Sequence, residues 1–268
     1  MSRNIPAKKS LGQNFLADPN VVSKIIQAAG ITPDDTVLEI GPGTGVMTRE
    51  LARAAGRVIA IELDERLAKM LQEELDEMDN LQVVMADALK YDFTSLPVAV
   101  KVVANLPYYI STPIITRLIE ARDKISLMVL MLQKEVARRI TAPPGGKDYG
   151  YLSVMVQLWT EARMLFTVPA GAFNPVPKVD SAVVTLRTLD HPSAIAKDYD
   201  FFEKIVSAAF SQRRKTLRNA LRSSRLIADE GIARLDEGGI DAARRAETLS
   251  VAEFARLADF LFEFRSMR

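Results

Sequence analysis

Short apolar runs and longer amphipathic segments alternate along the first part of the chain. The apolar runs lie at 36–40, 57–61, 81–85, 101–104 and 126–132. Near-continuous apolarity is typical of strands that are buried on both faces. Its alternation with helical spacing indicates a parallel sheet covered by helices. The pattern therefore predicts an α/β fold.

Helical spacing predicts helices between and after these strands, at 19–29, 45–54, 64–77, 113–121, 134–140 and 151–160. Two further apolar runs, at 163–168 and 180–187, complete a predicted sheet that is mostly parallel and seven-stranded. The segment 174–177 between them contains two prolines. We expect a loop there, because proline interrupts strand ladders and helices alike.

The β pattern ends near Asp190. Beyond it, helical spacing covers 201–210, 215–221 and 250–262. Ser250 and Glu253 have the spacing of a capping box, which predicts the start of the last helix. We therefore expect two domains, an α/β domain over 1–189 and a small all-helical domain over 190–268.

The composition narrows the class of protein. With 48% hydrophobic and 26% charged residues, the chain is of ordinary globular type. It has no cysteine and a single histidine, His191, which excludes disulfides, thiolate metal sites and multi-histidine metal sites. No signal segment follows the basic start, and the most apolar stretch is far shorter than the roughly 20 residues that span a bilayer. We expect a soluble, cytoplasmic protein without a bound metal.

The net charge is only +1, so its distribution is more informative than its sum. Between Gln212 and Arg225 the chain has six basic residues and no acidic one: Arg213, Arg214, Lys215, Arg218, Arg222 and Arg225. A cluster of this kind is expected to contact nucleic acid, with an affinity that falls as salt rises. The alternative is a solvated helix face with a structural role.

A glycine-rich stretch, Glu-Ile-Gly-Pro-Gly-Thr-Gly over 39–45, follows the first strand and opens a helix. Gly41, Gly43 and Gly45 allow a tight turn and a close approach to a ligand. Val46 stands where a dinucleotide fingerprint would have its last glycine. This difference favours a compact cofactor such as S-adenosylmethionine over NAD.

Acidic residues follow the next two strands. Glu62 lies at the end of the second strand, where a carboxylate can accept hydrogen bonds from both hydroxyls of a ribose. Asp87 follows the third strand, within expected reach of a cofactor's adenine amine. Open parallel sheets bind ligands at this edge, so we interpret both residues as cofactor-binding.

Asn105-Leu-Pro-Tyr108 follows the fourth strand, at the same edge of the sheet. The amine of a nucleobase is a poor nucleophile because its lone pair is delocalised into the ring. Two acceptors, the Asn105 side-chain oxygen and the Leu106 carbonyl, could bind its hydrogens, while Pro107 fixes the loop and Tyr108 stacks on the base. We interpret the stretch as the catalytic motif of an amino-methyltransferase; the alternative is a simple turn.

A resemblance to a known protein family covers nearly the whole chain. Six stretches, at 13–16, 39–45, 105–112, 133–137, 173–181 and 210–217, resemble the rRNA adenine dimethyltransferase family, in particular its bacterial small-subunit type. The resemblance implies a Rossmann-like class I methyltransferase domain and S-adenosylmethionine as cofactor. It also implies dimethylation of two adjacent adenosines near the 3′ end of small-subunit (16S) rRNA, in a late assembly intermediate.

The resemblance also assigns residues. It places Asn14 and Leu16 with Gly41, Gly43, Gly45, Glu62, Asp87 and Asn105 around the cofactor. It makes Phe173 the second face of an aromatic clamp with Tyr108, the alternative being a core aromatic. The basic cluster, independently of the resemblance, gives the expected rRNA contacts: Arg213, Arg214, Lys215, Arg218 and Arg222. A monomer is expected.

Three other readings stay open. A relative within the family could methylate a large-subunit rRNA adenosine and confer antibiotic resistance. The fold could serve as an RNA-binding assembly factor or a transcription-factor-like module without activity. The same acceptor geometry would also suit a glutamine amide in a protein, although the basic cluster fits RNA better.

Overall fold

The computed structural model describes residues 5–8, 11–212 and 214–265. The chain forms two compact units. The first, here called the sheet unit, comprises Met1–Ala137 and Glu161–Thr188, and the second, the helical unit, comprises Arg138–Thr160 and Leu189–Arg268. No helix in the described part of the chain is long and apolar enough to cross a membrane.

The strands, numbered in chain order, are β1 (Phe15–Leu16), β2 (Thr36–Ile40), β3 (Arg57–Glu62), β4 (Leu81–Met85), β5 (Val100–Asn105), β6 (Ile125–Gln133), β7 (Thr160–Val168), β8 (Phe173–Asn174) and β9 (Ser181–Thr188). Among the described residues, seven strands form one sheet in the order β4-β3-β2-β5-β6-β9-β7, and β1 pairs with β8 in a separate ladder. The pairs β3–β4, β2–β3, β2–β5 and β5–β6 are parallel, and β9 runs antiparallel to β6. The predicted seven-stranded, mostly parallel sheet is confirmed.

The strand order reverses between β2 and β5, which lie side by side at the centre of the sheet. Chain connections leave this point in opposite directions, so a crevice opens at the carboxyl ends of the two strands. The glycine-rich stretch follows β2 and Asn105 ends β5, so both predicted motifs meet at this crevice.

Helices α1 (Pro19–Ala29), α2 (Val46–Ala54), α3 (Glu65–Glu74) and α4 (Ser111–Glu120) belong to the sheet unit, and α5 (Lys134–Thr141) begins in it. Helix α1 shows why these segments are helical. Asp18 caps its first turn, proline occupies the first position, and Gly30 ends it in the left-handed conformation. Its buried face, Val21, Val22, Ile25 and Ala29, packs with strand valines in the main apolar cluster of the unit.

The helical unit contains α6 (Tyr151–Trp159), α7 (Tyr199–Phe210), α8 (Leu217–Ser224), α9 (Asp229–Ala233) and α10 (Val251–Leu261). They surround an apolar cluster that includes Phe202 and Phe254, both fully buried. The capping box of α10 is confirmed: Ser250 accepts from the Glu253 amide, and the Glu253 carboxylate accepts from the Ser250 amide.

The division differs from the predicted boundary at 189/190 in one segment. Residues 138–160 were expected in the α/β domain, but they lie in the helical unit. The reason is the packing of α6, whose Val154 and Leu158 are buried in the apolar cluster around Phe202 and Phe254. Chain order alone does not show this, because α6 lies between two strands of the sheet.

Candidate active site

The loop between β2 and α2 turns sharply toward the crevice. Gly43 has φ 59°, and a Cβ atom there would lie 3.0 Å from the ring of Phe15. Gly45 has φ 77°, and its Cβ would lie 2.3 Å from Leu71 Cδ2. A side chain is disfavoured at both positions. At Gly43 it would crowd the Phe15 ring, and at Gly45, which precedes the first residue of α2, it would clash with Leu71 of α3.

The crevice forms an open cleft of about 200 Å³ at the carboxyl ends of the central strands. The predicted site residues that line it are Asn14, Gly41, Gly43, Glu62, Asp87, Asn105, Leu106, Pro107 and Tyr108. Leu16 lines a smaller adjoining cavity together with Glu39 and Met47. Gly45 lines neither cavity and stands at the turn into α2; its contact with a cofactor stays a prediction.

Glu62 is the acidic group at the centre of the cleft. It is 6% exposed, and its two carboxyl oxygens accept from the Gly43 amide at 3.1 Å and the Asp64 amide at 2.8 Å. Burial raises the pKa of Glu62, while these two backbone donors oppose the increase. A carboxylate held at two points presents its remaining lone pairs in a fixed direction, as recognition of two ribose hydroxyls requires.

Asp87 lies just beyond β4 and lines the cleft. One carboxyl oxygen accepts from the Leu89 amide at 2.9 Å, and its backbone carbonyl accepts from Lys90 and Tyr91. One oxygen of the side chain is therefore fixed by a hydrogen bond within the turn. No described residue donates to the other, which is available to an amine.

Glu39 is a buried carboxyl group for which the sequence predicts no separate role. It is fully buried beneath the glycine-rich loop, and neither oxygen has a hydrogen-bond partner among the described residues. Burial raises the pKa of Glu39 to about 8; the Thr48 hydroxyl opposes this in part, and the nearby Glu62 carboxylate adds to it. The fold therefore favours a neutral carboxyl group here.

Asn105 and Leu106 present two acceptors at the end of β5. The Asn105 amide nitrogen donates to the Asn14 carbonyl at 3.2 Å, and the Leu106 amide donates to the Met131 carbonyl at 3.2 Å. Both donors are thus engaged. Among the described residues none donates to Asn105 Oδ1 or to the Leu106 carbonyl, so both acceptors remain available at the cleft.

Tyr108 follows Pro107 on the same wall. Its hydroxyl is 2.9 Å from the Ser181 hydroxyl, and its carbonyl accepts from Ser111 at 3.1 Å. Burial raises the pKa of Tyr108, which keeps the phenol protonated. The ring is half-buried, with its hydroxyl held by Ser181 and its backbone held by Ser111, and is a suitable platform for a flat base.

Phe173 does not complete an aromatic clamp in this structure. It is 3% exposed, pairs with Leu16 across the β1–β8 ladder, and packs in the apolar cluster of the sheet unit. It lines neither cavity. The ladder explains the difference, because it draws Phe173 under the segment that precedes α1, and the alternative of a core aromatic describes its position.

The basic residues of the helical unit divide into two groups. Arg214, Lys215, Arg222 and Arg225 are exposed, and no described residue pairs with their side chains; we call these four the basic surface. Arg218 instead forms an ion pair with Asp236 and donates to the Ile232 carbonyl at 2.7 Å. Arg213 lies outside the described residues.

One contact at the cleft could not be predicted from the sequence. The Gln13 side chain donates to Asp64 at 3.2 Å, across 51 residues of chain. Asp64 could be expected as a helix cap because it precedes a helical segment, and it does cap α3. Its contact with the N-terminal segment depends on tertiary structure alone.

The parallel sheet with one reversed strand, and a cleft at its switch point lined by a glycine-rich loop and acidic strand ends, define a class I methyltransferase. Enzymes of this class take the methyl group from S-adenosylmethionine. The family follows from the sequence: residues 4–263 match the ribosomal RNA adenine dimethylase family, and the chain belongs to it.

Relatives and solved structures agree with this placement. The chain is 48% identical over 267 residues to the ribosomal RNA small subunit methyltransferase A of Moorella thermoacetica, covering 96% of this chain and 93% of that protein. It is also 48% identical to the protein of that name from Geobacillus thermodenitrificans, covering 95% and 90%.

Among solved structures, a dimethyladenosine transferase from Plasmodium falciparum superposes with a TM-score of 0.80 and 30% identity, covering 91% of this chain and 95% of that one. The 23S rRNA methyltransferase ErmE superposes with a TM-score of 0.72 and 32% identity, covering 93% and 100%.

Proposed function

We propose that this enzyme dimethylates the exocyclic amines of two adjacent adenosines near the 3′ end of small-subunit (16S) rRNA. The observation that carries the chemistry is the pair of available acceptors, Asn105 Oδ1 and the Leu106 carbonyl, at the edge of the cleft. The substrate is supported by relatives at 45–48% identity that are named for the small subunit.

The residues of the cleft fit S-adenosylmethionine. Gly41 and Gly43 expose backbone, the buried Glu62 carboxylate suits ribose hydroxyls, and Asp87 has one oxygen for an adenine amine. We assign Asn14 to the same group, because its carbonyl orients the Asn105 amide. When bound, the cofactor supplies a methyl group that is activated by a cationic sulfonium.

The chain's own contribution to the transfer is placement and polarisation of the amine. Two acceptors that bind both amine hydrogens draw the nitrogen out of conjugation and direct its lone pair along one line. The amine nitrogen held in this way would accept the methyl group that the cofactor supplies, and its proton would then leave to water. No strong base is needed, which agrees with the absence of histidine at the cleft, since His191 lies in the helical unit.

Tyr108 supplies a stacking face for the target base. The stacking of a base on an aromatic ring is worth about 1–3 kcal/mol, which offsets part of the cost of extruding it. The basic surface, with Arg213 beside it in sequence, would contact the phosphates of the folded rRNA. We further propose that the enzyme acts as a monomer on an assembly intermediate of the small subunit, in the cytoplasm.

The test is transfer of labelled methyl groups from S-adenosylmethionine to small subunits that lack the modification, with large subunits and free rRNA assayed in parallel. We expect label on small subunits alone, recovered as dimethyladenosine in two adjacent nucleotides. Label on large subunits alone would contradict the proposal and assign the chain to the activity that the name of ErmE describes. No label on any RNA would contradict the enzymatic role.

A further inference from the structure

A short segment at the start of the chain covers one side of the cleft. Residues 11–16, here called the N-terminal strap, contribute Leu11, Gly12, Gln13, Asn14 and Phe15 to the cleft lining. Its C-terminal end is fixed by the pairing of β1 with β8. Its other end has no strand partner among the described residues. Apart from the local hydrogen bond of the Leu11 amide to the Lys8 carbonyl at 3.1 Å, side-chain contacts hold it.

Two side chains from outside the strap hold it by hydrogen bonds: Asn105, which donates to the Asn14 carbonyl at 3.2 Å, and Asp64. The Asp64 carboxylate is fully buried and accepts from Gln13 Nε2 at 3.2 Å, from Lys8 Nζ at 3.1 Å and from Arg66 Nη2 at 2.7 Å. A helix cap needs only one backbone donor, here the Arg66 amide at 3.1 Å. The carboxylate therefore does more than cap α3.

The Gln13 side-chain amide holds this end of the strap with both its oxygen and its nitrogen. Its oxygen accepts from the Lys8 backbone amide at 2.7 Å, while its nitrogen donates to Asp64. Among the side-chain partners of Asp64, Gln13 is the neutral one. Its hydrogen bond can break while two cations still neutralise the buried carboxylate, so it is the contact that opens at lowest cost.

Asp64 also connects the strap to the group that faces the ribose. Its backbone amide donates to one oxygen of Glu62 at 2.8 Å, and the other oxygen accepts from Gly43 at 3.1 Å. One residue thus fixes the orientation of Glu62 through its backbone and the position of the strap through its side chain.

We propose that Asp64 is a positioning residue that holds the N-terminal strap against the cofactor cleft, and that the Gln13–Asp64 hydrogen bond opens when the cofactor enters or leaves. This inference rests on the proposed placement of S-adenosylmethionine in the cleft. It concerns cofactor retention, because neither side chain reaches the two amine acceptors at Asn105 and Leu106.

The test compares Gln13→Ala, Asp64→Asn and the double variant with the full-length enzyme. The readouts are the affinity and dissociation rate of S-adenosylhomocysteine, by calorimetry and stopped flow, and the KM for S-adenosylmethionine against kcat. We expect each single variant to release S-adenosylhomocysteine about 10-fold faster, with KM raised more than kcat is changed. The double variant should release S-adenosylhomocysteine no faster than Asp64→Asn, because both substitutions remove the same Gln13–Asp64 hydrogen bond.

The matched control is Asp198→Asn. Asp198 caps α7 in the helical unit by accepting from the Phe201 amide at 2.8 Å, so the same substitution there tests the effect of removing the charge of a helix cap alone. We expect a small loss of stability and unchanged release of S-adenosylhomocysteine. Gln13→Ala removes no cap, so it keeps the test valid if Asp64→Asn folds poorly.

Hydrogen exchange supplies a readout that a purely structural role would not change. Amides of residues 11–16 should become protected when S-adenosylhomocysteine binds the wild type and stay unprotected in Gln13→Ala. Wild-type release rates in both single variants, or effects that multiply in the double variant, would overturn the inference. Failure of the wild type itself to bind S-adenosylhomocysteine would instead overturn the cofactor assignment, and this inference with it.

Discussion

The cleft of the sheet unit and the basic surface of the helical unit differ in the burial and hydrogen bonding of their charged side chains. At the cleft, Glu62 and Asp64 are almost fully buried, and each is held by several hydrogen bonds. On the basic surface, Arg214, Lys215 and Arg222 are exposed and have no partner among the described residues.

The difference indicates two kinds of recognition. Buried groups with fixed hydrogen bonds act over short distances and discriminate by geometry, as chemistry on a single base requires. Exposed cations act over about 10 Å, weaken with salt, and tolerate variation in the partner, which suits the backbone of a folded RNA. Each prediction below tests one side of this comparison against the other.

The largest effect is expected for Asn105→Ala, which removes one amine acceptor. We predict that kcat falls by about 1,000-fold, with a smaller loss of affinity for S-adenosylhomocysteine, because Asn105 also lines the cleft and holds Asn14. Single-turnover methylation and calorimetry measure the two quantities. The control is Asn80→Ala: Asn80 donates to the Ala52 and Ala55 carbonyls, so its loss should lower stability and leave kcat unchanged. Equal losses of kcat in both variants would contradict the assignment.

The two units should also differ in how pH affects their stability. Burial raises the pKa of Glu39 to about 8, so its contribution destabilises the fold increasingly as pH rises from about 4.5 to 8. In the helical unit, the hydrogen bond from Arg244 lowers the pKa of Glu253 to about 2, so its contribution is complete above about 4.5 and is lost as pH falls toward 2.

Glu39→Gln should therefore be more stable than the wild type at pH 8, on the order of a few kcal/mol, and equal to it near pH 4.5. Glu253→Gln should be less stable at pH 7, on the order of 1 kcal/mol, and nearly equal at pH 2. Urea unfolding across pH measures both. Parallel pH profiles for the two variants would show that the units do not differ in this way.

Next in size is the effect of neutralising the basic surface. Replacement of Arg214, Lys215, Arg222 and Arg225 by alanine should weaken binding to small subunits about 100-fold at moderate salt and flatten the dependence on salt. The control removes four exposed cations elsewhere in the helical unit, Lys197, Lys204, Arg245 and Arg256. If the control loses as much affinity, net charge and not this surface determines binding.

The smallest effect separates stacking from hydrogen bonding at Tyr108. Tyr108→Ala should lower kcat/KM about 10-fold through loss of the stacking face. Tyr108→Phe keeps the ring and loses only the contact with Ser181, so it should stay within a few-fold of the wild type. Steady-state methylation of small subunits measures both; equal effects would show that the hydroxyl and not the ring face matters.

The sequence predicts the central sheet well because each buried strand is a nearly pure apolar run. Strands β2 and β4 and helix α1 have the predicted bounds. The motifs at the cleft are also accessible from sequence, since parallel strands bring their carboxyl ends to one edge. Features that depend on the local sequence pattern can therefore be predicted from the sequence.

Tertiary contacts account for the differences. Phe173 is buried because β8 pairs with β1, two-residue strands that have no periodic signal. Arg218 belongs to the basic cluster in sequence, but it pairs with Asp236, 18 positions further on. Likewise the Gln13–Asp64 contact joins segments whose proximity follows only from the folded sheet unit.

The central claim is that the cleft performs the transfer and the basic surface places the RNA. The most direct measurement is to determine, on the same preparation of small subunits, both the binding affinity and the single-turnover rate at saturation for Asn105→Ala and for the four-alanine basic variant. We predict that Asn105→Ala binds like the wild type and transfers almost no methyl, while the basic variant binds weakly and transfers at nearly the wild-type rate once saturated. Loss of both properties in either variant would contradict the account.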